Sequence, residues 1–225
     1  MKALTTKIEP VTNNPLFDST LRHMVGLEGL KKHEGNKIAA FLKKLDRSLR
    51  ERLLDGELTE FSKRRLESLL KDTDVTLASI FNEYYDDLSG HLLDIGEFEA
   101  SFEAQNLDQA LKHIDVNYTS AIPSTKQLKA AIFLQPLSVR GADGGKLLEP
   151  FVEDWTKVEK QRLVGAILMG VAEGQTRDQI IRNIRVTKAN QYRDGLLATT
   201  QRHAEAIVRT AVQHVSTVAR TETLK

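Results

Sequence analysis

The sequence predicts an all-α protein, an elongated multi-helix assembly with an extended N-terminal arm and a long C-terminal helix. Three observations lead there. The 225 residues include only 13 glycines and 5 prolines, so few positions break a helix. Apolar residues recur at spacings of three and four, as in Ile38, Phe41, Leu42, Leu45, Leu49 and Leu53, which places them on one helical face. Near the C-terminus Ala204, Val208, Ala211, Val215 and Val218 repeat in a 4-3-4-3 pattern, a narrow seam of small residues along which a neighbouring helix can approach closely.

The elements follow in order. Residues 1–15 have no helical period and carry two prolines, Pro10 and Pro15, and read as an extended arm. Its apolar residues are few. Alone they do not offset a backbone ordering cost of ~1–2 kcal/mol per residue, so the arm is expected to order only against a partner, through Leu4, Ile8 and Val11. Residues 16–115 form an N-terminal helical region. One helix covers Lys37–Leu54, with Lys43, Lys44, Arg47 and Arg50 on its polar face, and Asp55-Gly56 stops it. Thr59 is the expected N-cap of a second, Glu60–Lys71. A third stripe starts at Thr73 with Leu77, Ile80, Phe81, Tyr84 and Leu88, punctuated by Gly90 and Gly96. Phe98, Phe102, Leu107, Leu111 and Ile114 suggest a further helix.

Residues 116–145 read as an irregular linker between two helical halves. Within it, Ser124-Thr125-Lys126-Gln127 has capping-box form, so a short helix starts at Thr125 and ends before Pro136. Residues 146–225 form the C-terminal helical region. Pro150 suits the first turn of a helix running to about Glu173, with Phe151, Trp155, Val158, Val164, Ile167, Leu168 and Val171 as its buried side. Gly174 closes it, and Thr176-Arg177-Asp178-Gln179 is a second capping box, opening a helix through Ile180, Ile181 and Ile184. The last helix runs from near Gly195. Nothing in Arg220–Lys225 stops it, so the natural polypeptide is expected to continue past Lys225.

Composition narrows the function classes. Without cysteine there are no disulfides, thiolate metal sites or thiol nucleophiles, and a reducing compartment is the expectation. No apolar run approaches the ~20 residues of a bilayer span. Leu163–Val171 is the longest candidate and is too short, so no membrane partner is expected. Net charge is +1, but the charges are segregated. Between Asp72 and Asp115 the acids face only Lys112, whereas bases dominate from Thr156 onward. These are solvated faces of opposite sign, or surfaces for a basic and an acidic partner.

No chemical motif survives inspection. Gly141–Lys146 has three residues, not four, before its Gly-Lys pair, and Leu147 follows where a P-loop needs Ser or Thr. The six histidines form no H-E-x-x-H pair; His203 and His214 share a face but lie some 16 Å apart, too far for one metal. No nucleophile elbow is present, and Asp86-Asp87, Glu97 and Glu103 sit in no recognisable cleft. No enzyme activity, cofactor or metal is assigned. Arg177, Arg182, Arg185, Lys188 and Arg193 could track phosphates, without a recognition-helix signature.

The turn Gly170-Val171-Ala172-Glu173-Gly174-Gln175-Thr176 leading into Asp178-Gln179-Ile180-Ile181, followed by Ala204-Glu205-Ala206-Ile207-Val208-Arg209-Thr210-Ala211-Val212-Gln213-His214-Val215-Ser216, resembles the Mu F-like minor head proteins, the head morphogenesis proteins of tailed bacteriophages. The resemblance covers the last third of the chain and reaches weakly back to Pro123–Pro136. It implies a minor head component, incorporated in few copies during procapsid assembly, associated with the portal protein and other capsid proteins. The location implied is the virion interior near the portal, and the host cytoplasm during assembly. A C-terminal module follows the Arg-Thr helix in that family, and this sequence ends before it. Arg209 is expected to be structural. The alternative is a nonspecific DNA-binding or DNA-ejection protein.

Overall fold

The computed structural model describes residues 15–54, 63–112, 120–137, 145–185 and 195–225. Among them are six helices and no strand: α1 (Pro15–Leu54), α2 (Lys63–Leu111), α3 (Thr125–Leu134), α4 (Leu148–Ala172), α5 (Arg177–Ile184) and α6 (Leu196–Thr223). Residues 1–14 of the arm, the proposed Thr59 cap, Ile114 and most of the Gly141–Lys146 loop lie outside the described residues, and Pro15, the expected end of the arm, is already helical.

α1 starts with Pro15 in its first turn, where the missing N–H costs nothing. It buries Ile38, Leu42, Leu45, Leu49 and Leu53, with Phe41 at the edge. The helix expected over Lys37–Leu54 extends back through Gly26, Gly29 and Gly35, because Leu27, His23 and Asp18 continue its buried stripe.

α2 is one helix of 49 residues, about 74 Å long at 1.5 Å per residue. Several shorter segments were expected here, and the breaks at Thr73, Gly90 and Gly96 do not occur. Thr73 is buried inside the helix. Packing explains Gly96: a Cβ there would meet Ile132 Cδ1 of α3 at 2.6 Å and Val215 Cγ1 of α6 at 3.3 Å. The glycine admits two helices at one level, and that contact outweighs its roughly 1 kcal/mol propensity deficit.

Both expected capping boxes form. Ser124 accepts from the Gln127 amide and opens α3, and Thr176 accepts from the Gln179 amide and opens α5. α4 closes as expected at Gly174, whose φ is +70°. The Gln175 N–H donates to the Gly170 carbonyl and the Gly174 N–H to that of Val171, a Schellman closure that requires the left-handed residue.

The inward face of α4 differs from expectation. Leu148, Val152, Trp155, Glu159, Leu163, Ile167 and Gly170 are buried, while Val158 and Leu168 are 55% and 41% exposed. Apolar periodicity chose Val158 because the inward position, 159, is a glutamate, which hydropathy counts as outward. Gly165 of α4 faces open space. Gly165→Ala is therefore expected to stabilise the fold by about 0.5–1 kcal/mol through helix propensity, read as a higher midpoint in urea.

α6 contacts every other helix. One continuous core contains residues from all six, so the 116–145 stretch joins elements of a single core rather than separating two. The physical cause is the seam: Ala204, Val208, Ala211 and Val215 are completely buried and Val218 nearly so, and α1 and α2 close on α6 along these small side chains. Fully buried leucines such as Leu45, Leu77, Leu92 and Leu163 each contribute about 1.5–3 kcal/mol. Most of the threonine hydroxyls of α6 are satisfied within the helix. Thr199, Thr210, Thr217, Thr221 and Thr223 donate to the carbonyl four residues back.

Candidate functional site

The polar chemistry of the interior is concentrated at the two ends of α6, where α2 and α4 each send in a glutamate with no solvent exposure. At the C-terminal end Glu99 of α2 accepts from Ser216 Oγ at 2.6 Å and Arg220 Nε at 3.1 Å. His23 Nε2 of α1 lies 2.7 Å from Glu99 Oε1. That pair is close enough for strong attraction, but neither atom has a well-directed hydrogen bond. His23 stacks on Phe102 at 3.6 Å between centroids and on Phe98 at 5.6 Å, which keeps the imidazole in place although Phe98 is half exposed.

At the N-terminal end Glu159 of α4 accepts from Thr200 Oγ1 at 2.8 Å and pairs with Arg162 at 2.8 Å and His203 Nδ1 at 2.7 Å. A third buried carboxylate, Glu34 of α1, pairs with Lys37 at 2.8 Å and lies 3.4 Å from His91 of α2. Each of the three buried glutamates thus faces a histidine from another helix and a permanent cation.

In all three the carboxylate is the hub and the hydroxyl or imidazole points at it. A nucleophilic relay needs the histidine between hydroxyl and carboxylate, and in the Glu99 cluster Ser216 and His23 both reach Glu99 instead. The clusters fix helix positions. Burial pushes the Glu99 carboxyl up, but the contacts from His23 and Ser216 and the charge of Arg220 outweigh it, and the group is held below its ordinary value of 4.5. With a depressed folded-state value, the stability Glu99 contributes is complete above about pH 4.5 and is lost as the pH falls through the folded-state value. Acid unfolding monitored by circular dichroism is expected to have a flatter stability profile below pH 5 in Glu99→Gln, on the order of 1 kcal/mol less pH-dependent.

Beside Glu34, burial first, then the charges of Glu34 and Asp87, raise the Tyr84 hydroxyl above its ordinary range. The Tyr84 ring packs edge-on against Trp155, the single tryptophan, and against Phe41. Between α2 and α4 lies a cleft of about 290 Å³, walled by Phe81, Tyr85, Asp86, Glu149, Val152 and Glu153. Burial and these carboxylates raise the Tyr85 hydroxyl. The wall chemistry is anionic and offers no base paired with a nucleophile. Among the described residues no group of His, Asp or Glu is arranged to hold a metal ion, and no helix is long and apolar enough to cross a membrane.

The sequence-predicted residues divide as follows. Ala204, Val208, Ala211, Val215 and Val218 come together as the buried seam. Leu4, Ile8 and Val11 lie outside the described residues, as do Lys188 and Arg193. Arg185 pairs with Asp46 of α1 at 2.9 Å, and Arg182 donates to the Asp178 carbonyl of its own helix. Arg209 is exposed and faces Glu28 electrostatically; the buried-carboxylate role falls to Arg220 and Arg162 instead. Sequence reasoning missed Glu34, Glu99 and Glu159. A glutamate at a core-phase position is the signal that finds them, most clearly Glu159 between Trp155 and Leu163. No family model, curated protein or solved structure matches this chain.

Proposed function

We propose that this chain is a phage minor head protein that binds the portal inside the capsid and acts in head morphogenesis, with a role in genome packaging or delivery. The observation that supports this most is where the resembling residues sit. The Ala204–Ser216 segment is the buried middle of α6, and the preceding turn is the Gly174 closure and Thr176 capping box. The residues that carry the resemblance are therefore ones the fold depends on, which is where a shared architecture leaves its trace. A helical body without a converging catalytic constellation among the described residues suits a structural role. In this reading Leu4, Ile8 and Val11 dock on the portal as an extended strip, by a mode such as addition to a sheet edge.

The test is to delete residues 1–14, which leaves α1 intact from Pro15, and to measure helicity and incorporation into heads. Helicity almost unchanged and incorporation strongly reduced is the expected result. Full incorporation of the shortened chain overturns the arm as the docking element. Absence of the intact protein from purified heads overturns the head assignment.

A further inference from the structure

α1 carries a straight cationic ridge that the other described residues leave open. Lys32, Lys43, Arg47 and Arg50 are all exposed, and none of them has an acidic partner among the described residues. At 3.6 residues per turn they fall within a sector of about 60° and span about 27 Å of helix. The acids that could neutralise the ridge are mostly engaged elsewhere. Asp46 pairs with Arg185, Glu34 is buried against Lys37, and Glu28 pairs with Lys31. Exposed Glu51 at the ridge margin is the exception. Lys44, next to the ridge, is held by Glu83 of α2.

We infer that this face of α1 binds the phosphate backbone of duplex DNA without sequence preference. Charge complementarity carries the assignment. Four unpaired cations in line match a polyanion with one charge per ~1.7 Å of axis, and 27 Å corresponds to about eight base pairs. The long flexible stems of lysine and arginine suit a backbone whose local path varies, and the ridge has no aromatic side chain to stack on bases. This inference does not rest on the head-protein reading, and it locates the DNA surface on α1 rather than on the Arg177–Arg193 stretch.

The experiment uses the full chain and a 30-base-pair duplex, with binding measured by fluorescence anisotropy between 50 and 200 mM salt. Four neutralised phosphates give a slope of log K against log salt of about −3.6, a loss of about 150-fold over that range. The K43Q/R47Q/R50Q variant is expected to lose most binding and to have a slope near −1, with helicity unchanged. K126Q/K129Q/R202Q removes the same charge from exposed positions on α3 and α6 and is expected to bind like the parent. No duplex binding at 50 mM salt overturns the inference, as does an equal loss in the two variants, which would make net charge the cause. Poly-glutamate binding as tightly as duplex at matched charge overturns it too, and reassigns the ridge to acidic proteins.

Discussion

Glu99→Ala is expected to destabilise the protein by about 3–5 kcal/mol, the usual cost of removing one partner from a buried charged cluster, with a fall in Tm on the order of 10 °C. The carboxylate is fully buried and is the common acceptor for Ser216 and Arg220 and the counter-charge for His23. Without it the His23 ring, itself buried between α1 and α2, faces apolar walls, and Ser216 loses its partner. The effect comes from stranded polar groups rather than from the intrinsic strength of the pairs. Glu99→Gln, which keeps an acceptor, should cost clearly less. The combined variant His23→Leu, Glu99→Leu, Ser216→Ala should recover much of the loss, since it removes the buried partners together and leaves only Arg220, which is partly exposed and also faces Glu103. Urea titrations of the three variants decide the matter. If Glu99→Ala and the combined variant were equally unstable, the cluster would be acting through packing volume alone.

Ala211→Leu is expected to cost about 1–3 kcal/mol by overpacking. Ala211 has no solvent exposure and lies in the middle of the seam, where α1 and α2 close on α6. The added atoms have nowhere to go unless a neighbouring helix moves outward, and a shift at this level also disturbs the close approach at Gly96. Ala206→Leu is the matched control, because Ala206 is exposed on the same helix. It should change stability by less than about 0.5 kcal/mol. Equal urea midpoints for the two variants would show that the seam tolerates expansion and that small residues are not what sets the helix spacing.

The legibility of the clusters was uneven. Hydropathy periodicity treats a glutamate as outward-facing, and this misassigned the face of α4 by giving Val158 the position that belongs to Glu159. It also hid Glu99 in a stretch read as an acidic surface. The ridge residues Lys43, Arg47 and Arg50 were visible as the polar side of a helix. That they stay unpaired while Lys44 is captured by Glu83 and Asp46 by Arg185 depends on which helices lie alongside.

The sequence by itself determined the local elements. Ser124 with Gln127 and Thr176 with Gln179 cap their own helices, Gly174 closes α4, and the Ala204–Val218 repeat marks a buried seam. The caps and the closure are interactions between residues a few positions apart, and the seam is a period within one helix, so the information sits in one short window. Tertiary structure decided the rest. Gly96 reads as a helix break until Ile132 and Val215 arrive against it, and α2 then runs on unbroken because the contact compensates for the weak propensity. The two apparent halves share one core because α6 inserts its small side chains between α1 and α2. A buried glutamate is tolerable only once a cation and a histidine face it; Lys37 and Arg162 sit one turn along the same helix, but the three histidines and Arg220 come from other helices. Those latter partners are distant in sequence, and the desolvation cost that makes them necessary arises only when the chain is packed.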